Sequence, residues 1–112
     1  MTEQQLKIIL QLLENASRRP GMYFPLSKDG LNGFLGGIQA MKSSFFVDSI
    51  DIQLTHAILM ARGWDMPNAL GPFPAMEAQG YTVQQMIDEI LAIEIAVCNA
   101  QLRSLESYRQ ER

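Results

Sequence analysis

The chain has 112 residues, of which 47% are hydrophobic and 19% charged, with a formal net charge of −3 at pH 7. This length allows one domain with a single core, and the composition is that of a folded protein rather than a disordered one. The charge argues against a nucleic-acid-binding protein, which gathers Lys and Arg on one face. The chain has no apolar run long enough to span a bilayer and no basic leader, so we expect a cytoplasmic protein.

The first amphipathic segment runs from Glu3 to Ser17. Its apolar residues recur at the spacing of one helical face: Leu6, Ile9, Leu10, Leu13 and Ala16. Ile8 and Leu12 widen this stripe, which predicts neighbours on two sides of the helix.

A Pro-Gly turn at Pro20 and Gly21 follows the first segment. Proline disfavours helix in the residue before it, and glycine permits a sharp turn. The next three residues, Met22–Phe24, are all apolar. We expect them to fold back and fill the gap between two helices.

A second helix is predicted from Gly30 to Phe46, with Asp29 as its cap. Four small residues lie within it: Gly33, Gly36, Gly37 and Ala40. Each glycine inside a helix costs roughly 1 kcal/mol relative to alanine, so we expect another backbone close to this side.

The third segment, Ser49–Arg62, is apolar almost all round. Such a helix belongs in the middle of a bundle or beneath a partner. A homodimer that uses this helix is one possibility that the pattern leaves open.

An irregular stretch from Gly63 to Gly80 precedes the last helix and contains three prolines, although its PAMEAQ segment could form one helical turn. Thr82 and Gln85 form a capping box, and periodic apolar residues continue to Leu105. The tail is expected to fray from about 107. No internal repeat divides the chain. We therefore predict an all-α, single-domain bundle over residues 1–112, with about four main helices and a long irregular loop before the last one.

The charge of the chain is unevenly distributed, because residues 48–94 contain seven acids and one base. The long loop lies inside this acidic region, and long connections in small domains often carry function. Aromatic side chains with a charged rim are typical of protein interfaces. The predicted partner-binding residues are Asp48, Asp51, Trp64, Asp65, Phe73 and Glu77. The alternative is that Trp64 and Phe73 only anchor the loop to the core.

Few residues in the sequence indicate catalysis or metal binding. His56 is the only histidine and Cys98 the only cysteine, so no structural zinc site or internal disulfide can form. We predict no catalytic residues, no metal and no cofactor. The alternative is a small helical enzyme or ligand-binding domain that uses Glu94, His56 and Arg19 around an internal pocket.

The segment Arg19–Tyr23, RPGMY, is followed by a pattern L-x-x-F-L-x-G whose defined positions are Leu31, Phe34, Leu35 and Gly37. With the helix before it, this region resembles small bacterial immunity proteins of polymorphic or contact-dependent toxin systems, over about a third of the chain. It departs from that pattern at Phe24-Pro25, where Ile-Gly is expected.

The resemblance implies a protein that binds one cognate toxin stoichiometrically and covers its active site. In this comparison the motif resembles a folding element rather than the toxin-binding surface. If the toxin is a nuclease, its basic cleft would suit the acidic region.

Overall fold

The chain is all-α in a computed structural model that describes residues 3–43, 49–64 and 73–110. Side chains are described in these ranges except at 39, 41–43, 49–54, 73 and 107–110. Within the described ranges, five α-helices follow one another: α1 Glu3–Arg18, α2 Lys28–Ser43, α3 Ser49–Ala61, α4 Phe73–Ala78 and α5 Val83–Gln110. The described ranges contain no β-strand, and four of the helices are long, which confirms the predicted all-α fold.

The longest helix, α5, is the element against which α1, α2 and α3 pack, and α1 contacts it most extensively. The buried apolar side chains of α5 are spaced one to four residues apart: Met86, Ile87, Ile90, Leu91, Ile93, Val97, Cys98 and Ala100. The predicted capping box is confirmed, because Thr82 Oγ1 accepts a hydrogen bond from the Gln85 N–H and Gln85 Oε1 accepts one from the Thr82 N–H. The helix continues to Gln110, beyond the position near 107 where we expected fraying.

Helix α1 is buried along one side only. Its core residues are the predicted ones: Leu6, Ile9, Leu13 and Ala16. Leu12 packs at the edge of the core, but Ile8 is exposed. The predicted neighbour on the Ile8 side is therefore wrong for the part of the chain that the structure describes.

The N-terminus of α2 is capped by Ser27, not by Asp29. Ser27 Oγ accepts a hydrogen bond from the Gly30 N–H at 3.0 Å, and the helix begins two residues earlier than predicted. Gly30 then lies so close to the preceding loop that an added Cβ would come within 2.1 Å of the Pro25 carbonyl oxygen. Glycine is required at this position by a close approach of two backbones.

The small-residue side of α2 faces open space. A Cβ added at Gly33, Gly36 or Gly37 would have no atom within 4 Å among the described residues, and Ala40 is exposed. The buried side of α2 is formed instead by residues such as Leu31 and Ile38. Our prediction of a second backbone along the glycines is wrong within the described chain.

The second half of α3 lies on the surface of the bundle. Leu59 is buried and Ile58 packs at the edge of the core, whereas His56, Ala57 and Met60 are exposed. Helix α3 contacts α5 on one side. The predicted position in the middle of the bundle is wrong for residues 55–61, although the alternative placement beneath a partner remains a prediction.

Candidate partner-binding surfaces

The six predicted partner-binding residues are only partly described. Asp48 and Asp65 lie outside the described residues. Asp51 is in the first turn of α3 and Phe73 is the first residue of α4, and only their backbone is described. The side chains of Trp64 and Glu77 are the two that the structure places, and they have different roles.

Trp64 is fixed by the way that α3 ends. Gly63 adopts φ +88°, its N–H donates to the Met60 carbonyl at 3.0 Å, and the Trp64 N–H donates to the Leu59 carbonyl at 2.8 Å. This pair of bonds is a Schellman motif, which turns the chain back at a left-handed glycine. The reversal directs the residue after the glycine towards the core.

Helix α4 ends in the same way. Gly80 has φ +82°, its N–H donates to the Glu77 backbone carbonyl, and the Tyr81 N–H donates to the Met76 carbonyl. The two helix ends share a sequence pattern: the segment LMARGW spans the end of α3, and the segment MEAQGY spans the end of α4. This short similarity, an apolar residue, alanine and then glycine-aromatic, is a helix-end signal that our sequence interpretation missed.

The two aromatic residues that follow these glycines meet each other. The rings of Trp64 and Tyr81 lie edge to face, with centroids 5.4 Å apart. Trp64 is only 3% exposed, and its Nε1 donates a hydrogen bond to Glu89 Oε1 at 3.2 Å. Trp64 therefore anchors the connection after α3 to the core, as the sequence alternative had it.

Glu89 joins this aromatic pair to a cation. Arg62 donates from Nε to Glu89 Oε1 at 2.5 Å and from Nη2 to Oε2 at 3.0 Å. The hydrogen bond from Arg62 lowers the pKa of Glu89, against a smaller opposing effect of burial, and the bond from Trp64 adds to the lowering. The same pairing raises the pKa of Arg62. Glu89 and Arg62 thus serve the packing of α3 on α5.

Glu77, unlike Trp64, lies at the surface. Its side chain is about half exposed and forms an ion pair with Lys28, which joins α4 to the first turn of α2. Asp88, also exposed, accepts a hydrogen bond from Gln84 within α5. Part of the charge of the acidic region is therefore balanced within the chain.

The structure describes all three residues of the alternative site. Glu94 is half-buried on α5, whereas His56 and Arg19 are exposed. No group of three or more His, Cys, Asp or Glu that could hold a metal occurs among the described residues. Cys98 is fully buried.

The segment after α1 presents apolar side chains to solvent. Pro20–Met22 forms a 3₁₀ turn, and of the three apolar residues that we expected to fill a gap only Phe24 does so, at 6% exposure. It packs on Phe34, with ring centroids 5.1 Å apart. Met22 is 73% exposed and Tyr23 40%, so the prediction is wrong for Met22 and only partly met by Tyr23.

Leu26 belongs to the same exposed region. It is 54% exposed, and its Cδ1 would lie 3.8 Å from a Cβ on Gly21, at the base of the turn. We call Met22, Tyr23 and Leu26 the turn surface. Tyr23 is held at its edge by Phe34, at a centroid distance of 6.4 Å in a T-shaped arrangement. The turn surface is thus a supported set of apolar side chains on the segment that carries the RPGMY motif.

Comparisons of the chain with protein-family models, curated proteins and solved structures gave no match. In the described part of the chain, no helix combines the length and the hydropathy needed to cross a membrane.

Proposed function

We propose that the chain is an immunity protein that neutralises a cognate bacterial toxin by stoichiometric binding. The observation that supports this most directly is the exposure of Met22, Tyr23 and Leu26 on one short segment. Large apolar side chains grouped at a surface are typical of protein-protein interaction sites. The resemblance assigns the RPGMY segment to folding, whereas the exposure of Met22 and Tyr23 favours a role of this segment in binding.

The exposure of Met22 has no evident use in folding. Phe24, two residues later, already supplies the buried anchor of this connection, and Phe34 receives it. A side chain left in water contributes little to the free energy of unfolding, because burial is the source of hydrophobic stabilisation. Contact with a partner would bury Met22 and give it an energetic role.

The acidic region forms the second part of the proposed interface. Asp48, Asp51, Asp65, Phe73 and Glu77 are the residues that we propose to meet a basic cleft, as a nuclease toxin would offer. Trp64 would act indirectly, because its buried ring holds the start of the loop in place. We also propose that the protein acts in the cytoplasm, where a toxin of this kind would reach its target.

The experiment is co-expression with the toxin whose gene adjoins the gene of this chain. We expect the chain to restore growth and to form a complex with equal numbers of both proteins, measured by light scattering of the purified mixture. A toxin from an unrelated system is the matched control and should gain no protection. If the adjacent gene encodes no toxin, or if its toxin neither binds nor is neutralised, the proposal is wrong.

A further inference from the structure

The turn surface has a charged border on its N-terminal side. Arg18 ends α1, and Arg19 precedes the 3₁₀ turn, with the Met22 N–H donating to the Arg19 carbonyl at 3.1 Å. Both arginines are exposed. Two exposed arginines therefore lie three and four residues before Met22 in the chain.

These two arginines differ from three other cations of the described chain, although Arg103 on α5 is likewise exposed and has no ion pair among the described residues. Lys7, Lys28 and Arg62 each have a carboxylate partner within the chain. Among the described residues, neither Arg18 nor Arg19 has a side-chain hydrogen bond or ion pair. A cation at the end of α1 interacts favourably with the helix dipole, but one residue in the last turn provides that interaction and Arg19 lies beyond it.

We infer that the turn surface, bordered by Arg18 and Arg19, docks a segment of the partner protein that carries an apolar side chain flanked by carboxylates. This inference rests on the proposed function and names the chemistry of the partner at one part of the interface. The exposed apolar side chains of Met22 and Leu26 would pack on the apolar residue. The guanidinium groups would pair with the carboxylates in a geometry that arginine favours.

Charge complementarity selects this occupant over a second copy of the chain. A self-interface across a two-fold axis would bring Arg18 and Arg19 of both copies to the same patch, where four like charges repel. An acidic partner segment instead neutralises both guanidinium groups. The turn surface and the acidic region would thus contact parts of the toxin that carry opposite charge.

The test is the binding kinetics of the purified toxin with variants of the full chain. Met22→Ser and Leu26→Ser should weaken the affinity about tenfold or more, mainly through faster dissociation. Arg19→Glu should slow association several-fold at low ionic strength, and the difference should shrink as salt is added. Ile8→Ser on α1 and Arg103→Glu on α5 make comparable changes at other exposed positions and should leave binding unchanged.

A second readout does not depend on loss of binding. A photo-cross-linking amino acid at position 22 should attach to the toxin, and the captured toxin peptide should contain Asp or Glu beside an apolar residue. The same amino acid at position 8, an exposed position on α1, is the control and should not attach. A captured peptide rich in Lys and Arg would overturn the inference about partner chemistry.

The remaining outcomes separate the two proposals. If the wild-type chain binds the toxin and the turn-surface variants bind equally well, this inference is wrong and the proposed function stands. If the wild-type chain does not bind, the proposed function fails and this inference fails with it. A wild-type dimer that Met22→Ser dissociates, with toxin binding unchanged, would show that a second copy occupies the turn surface and would overturn the partner that we name.

Discussion

The indole N–H of Trp64 and the carboxylate of Glu89 are joined by a hydrogen bond of 3.2 Å across the α3–α5 contact. The same carboxylate receives two hydrogen bonds from Arg62, so one glutamate connects an aromatic ring and a guanidinium group to α5. Trp64 directly precedes Asp65 in the sequence, so this contact fixes the last described residue before that proposed partner-binding residue. The candidate interface and the folded core are linked through these residues.

The first prediction concerns pH and Glu89. Its pKa is lowered in the folded protein by Arg62, so its contribution to stability is present above the ordinary glutamate value of 4.5 and is lost as the pH falls through the folded-state pKa. Glu89→Gln should reduce the free energy of unfolding by about 1 kcal/mol at neutral pH, a modest value because Arg62 is partly exposed. Urea unfolding at neutral and acid pH measures this difference.

At a pH well below 4.5 the wild type and Glu89→Gln should converge, since the carboxyl is then protonated in both states. Glu106→Gln, at an exposed position later in α5, is the matched control and should match the wild type throughout. A constant gap between Glu89→Gln and the wild type at every pH would mean that packing, not charge, explains the effect.

The second prediction tests the two helix ends. Gly63 and Gly80 both have positive φ, a conformation that costs a side-chain-bearing residue about 1–2 kcal/mol. Gly63→Ala and Gly80→Ala should each lower the free energy of unfolding by about 1 kcal/mol or more. Asparagine tolerates this conformation better than alanine, so Gly63→Asn should lose less stability than Gly63→Ala. Equal losses for the two would show that the helix end had relaxed to another conformation.

The third prediction is that replacing glycine by alanine stabilises the protein at three positions in α2. Gly33, Gly36 and Gly37 have open space where a Cβ would be placed, and alanine has the higher helix propensity. Each glycine-to-alanine change should raise the free energy of unfolding by about 0.5–1 kcal/mol. Gly30→Ala is the contrasting variant and should destabilise, because its Cβ would meet the Pro25 carbonyl. Destabilisation by all four would indicate that another surface covers the glycines in solution.

Local patterns predicted the helices better than they predicted what the helices touch. The stripe from Leu6 to Ala16 and the Thr82–Gln85 box depend on neighbours within a turn or two, and the structure has both. The exposed side of α2 depends on which element lies beside it, and that is a property of the whole fold. Periodicity identified the small residues of α2 without indicating whether anything packs on them.

The candidate site shows the same limit. The sequence places Trp64 next to Asp65. That observation fitted both a Trp64 side chain that binds a partner at the surface and one that is buried in the core. The decisive information was the Gly63–Trp64 pair at the end of α3, since a left-handed glycine turns the next residue inward. The predicted burial of Met22 was wrong because no such local signal exists there. An apolar residue in a turn can belong to the core or to an interface, and its neighbours in the sequence do not distinguish the two.

The fourth prediction separates folding from binding in the connection after α1. Phe24 is buried against Phe34, so Phe24→Ala should cost about 3–5 kcal/mol of unfolding free energy. Met22→Ser should stay within about 0.5 kcal/mol of the wild type, because Met22 is mostly exposed. Thermal and urea unfolding of the two variants measure this contrast. A large loss of stability in Met22→Ser would make the turn surface part of the fold rather than a docking site.

The last prediction concerns the ion pair between Glu77 and Lys28. It uses association rates to determine the charge of the partner surface that approaches this pair. Both side chains are about half exposed, so breaking the pair should change stability by at most about 1 kcal/mol. Glu77→Gln leaves an unpaired cation at this point, and Lys28→Gln leaves an unpaired anion. If a basic cleft of the toxin approaches the acidic region, Glu77→Gln should slow association several-fold at low salt and Lys28→Gln should speed it.

Opposite signs from the two halves of one ion pair identify the charge of the approaching surface, because a general disturbance of α4 would shift both rates in the same direction. The two rates should converge near 1 M salt, where the screening length falls to about 3 Å. Glu106→Gln removes a carboxylate from an exposed position later in α5 and should leave the rate unchanged. Faster association with Glu77→Gln and slower association with Lys28→Gln would show an acidic surface approaching α4, and the proposed meeting of the acidic region with a basic cleft would then be wrong.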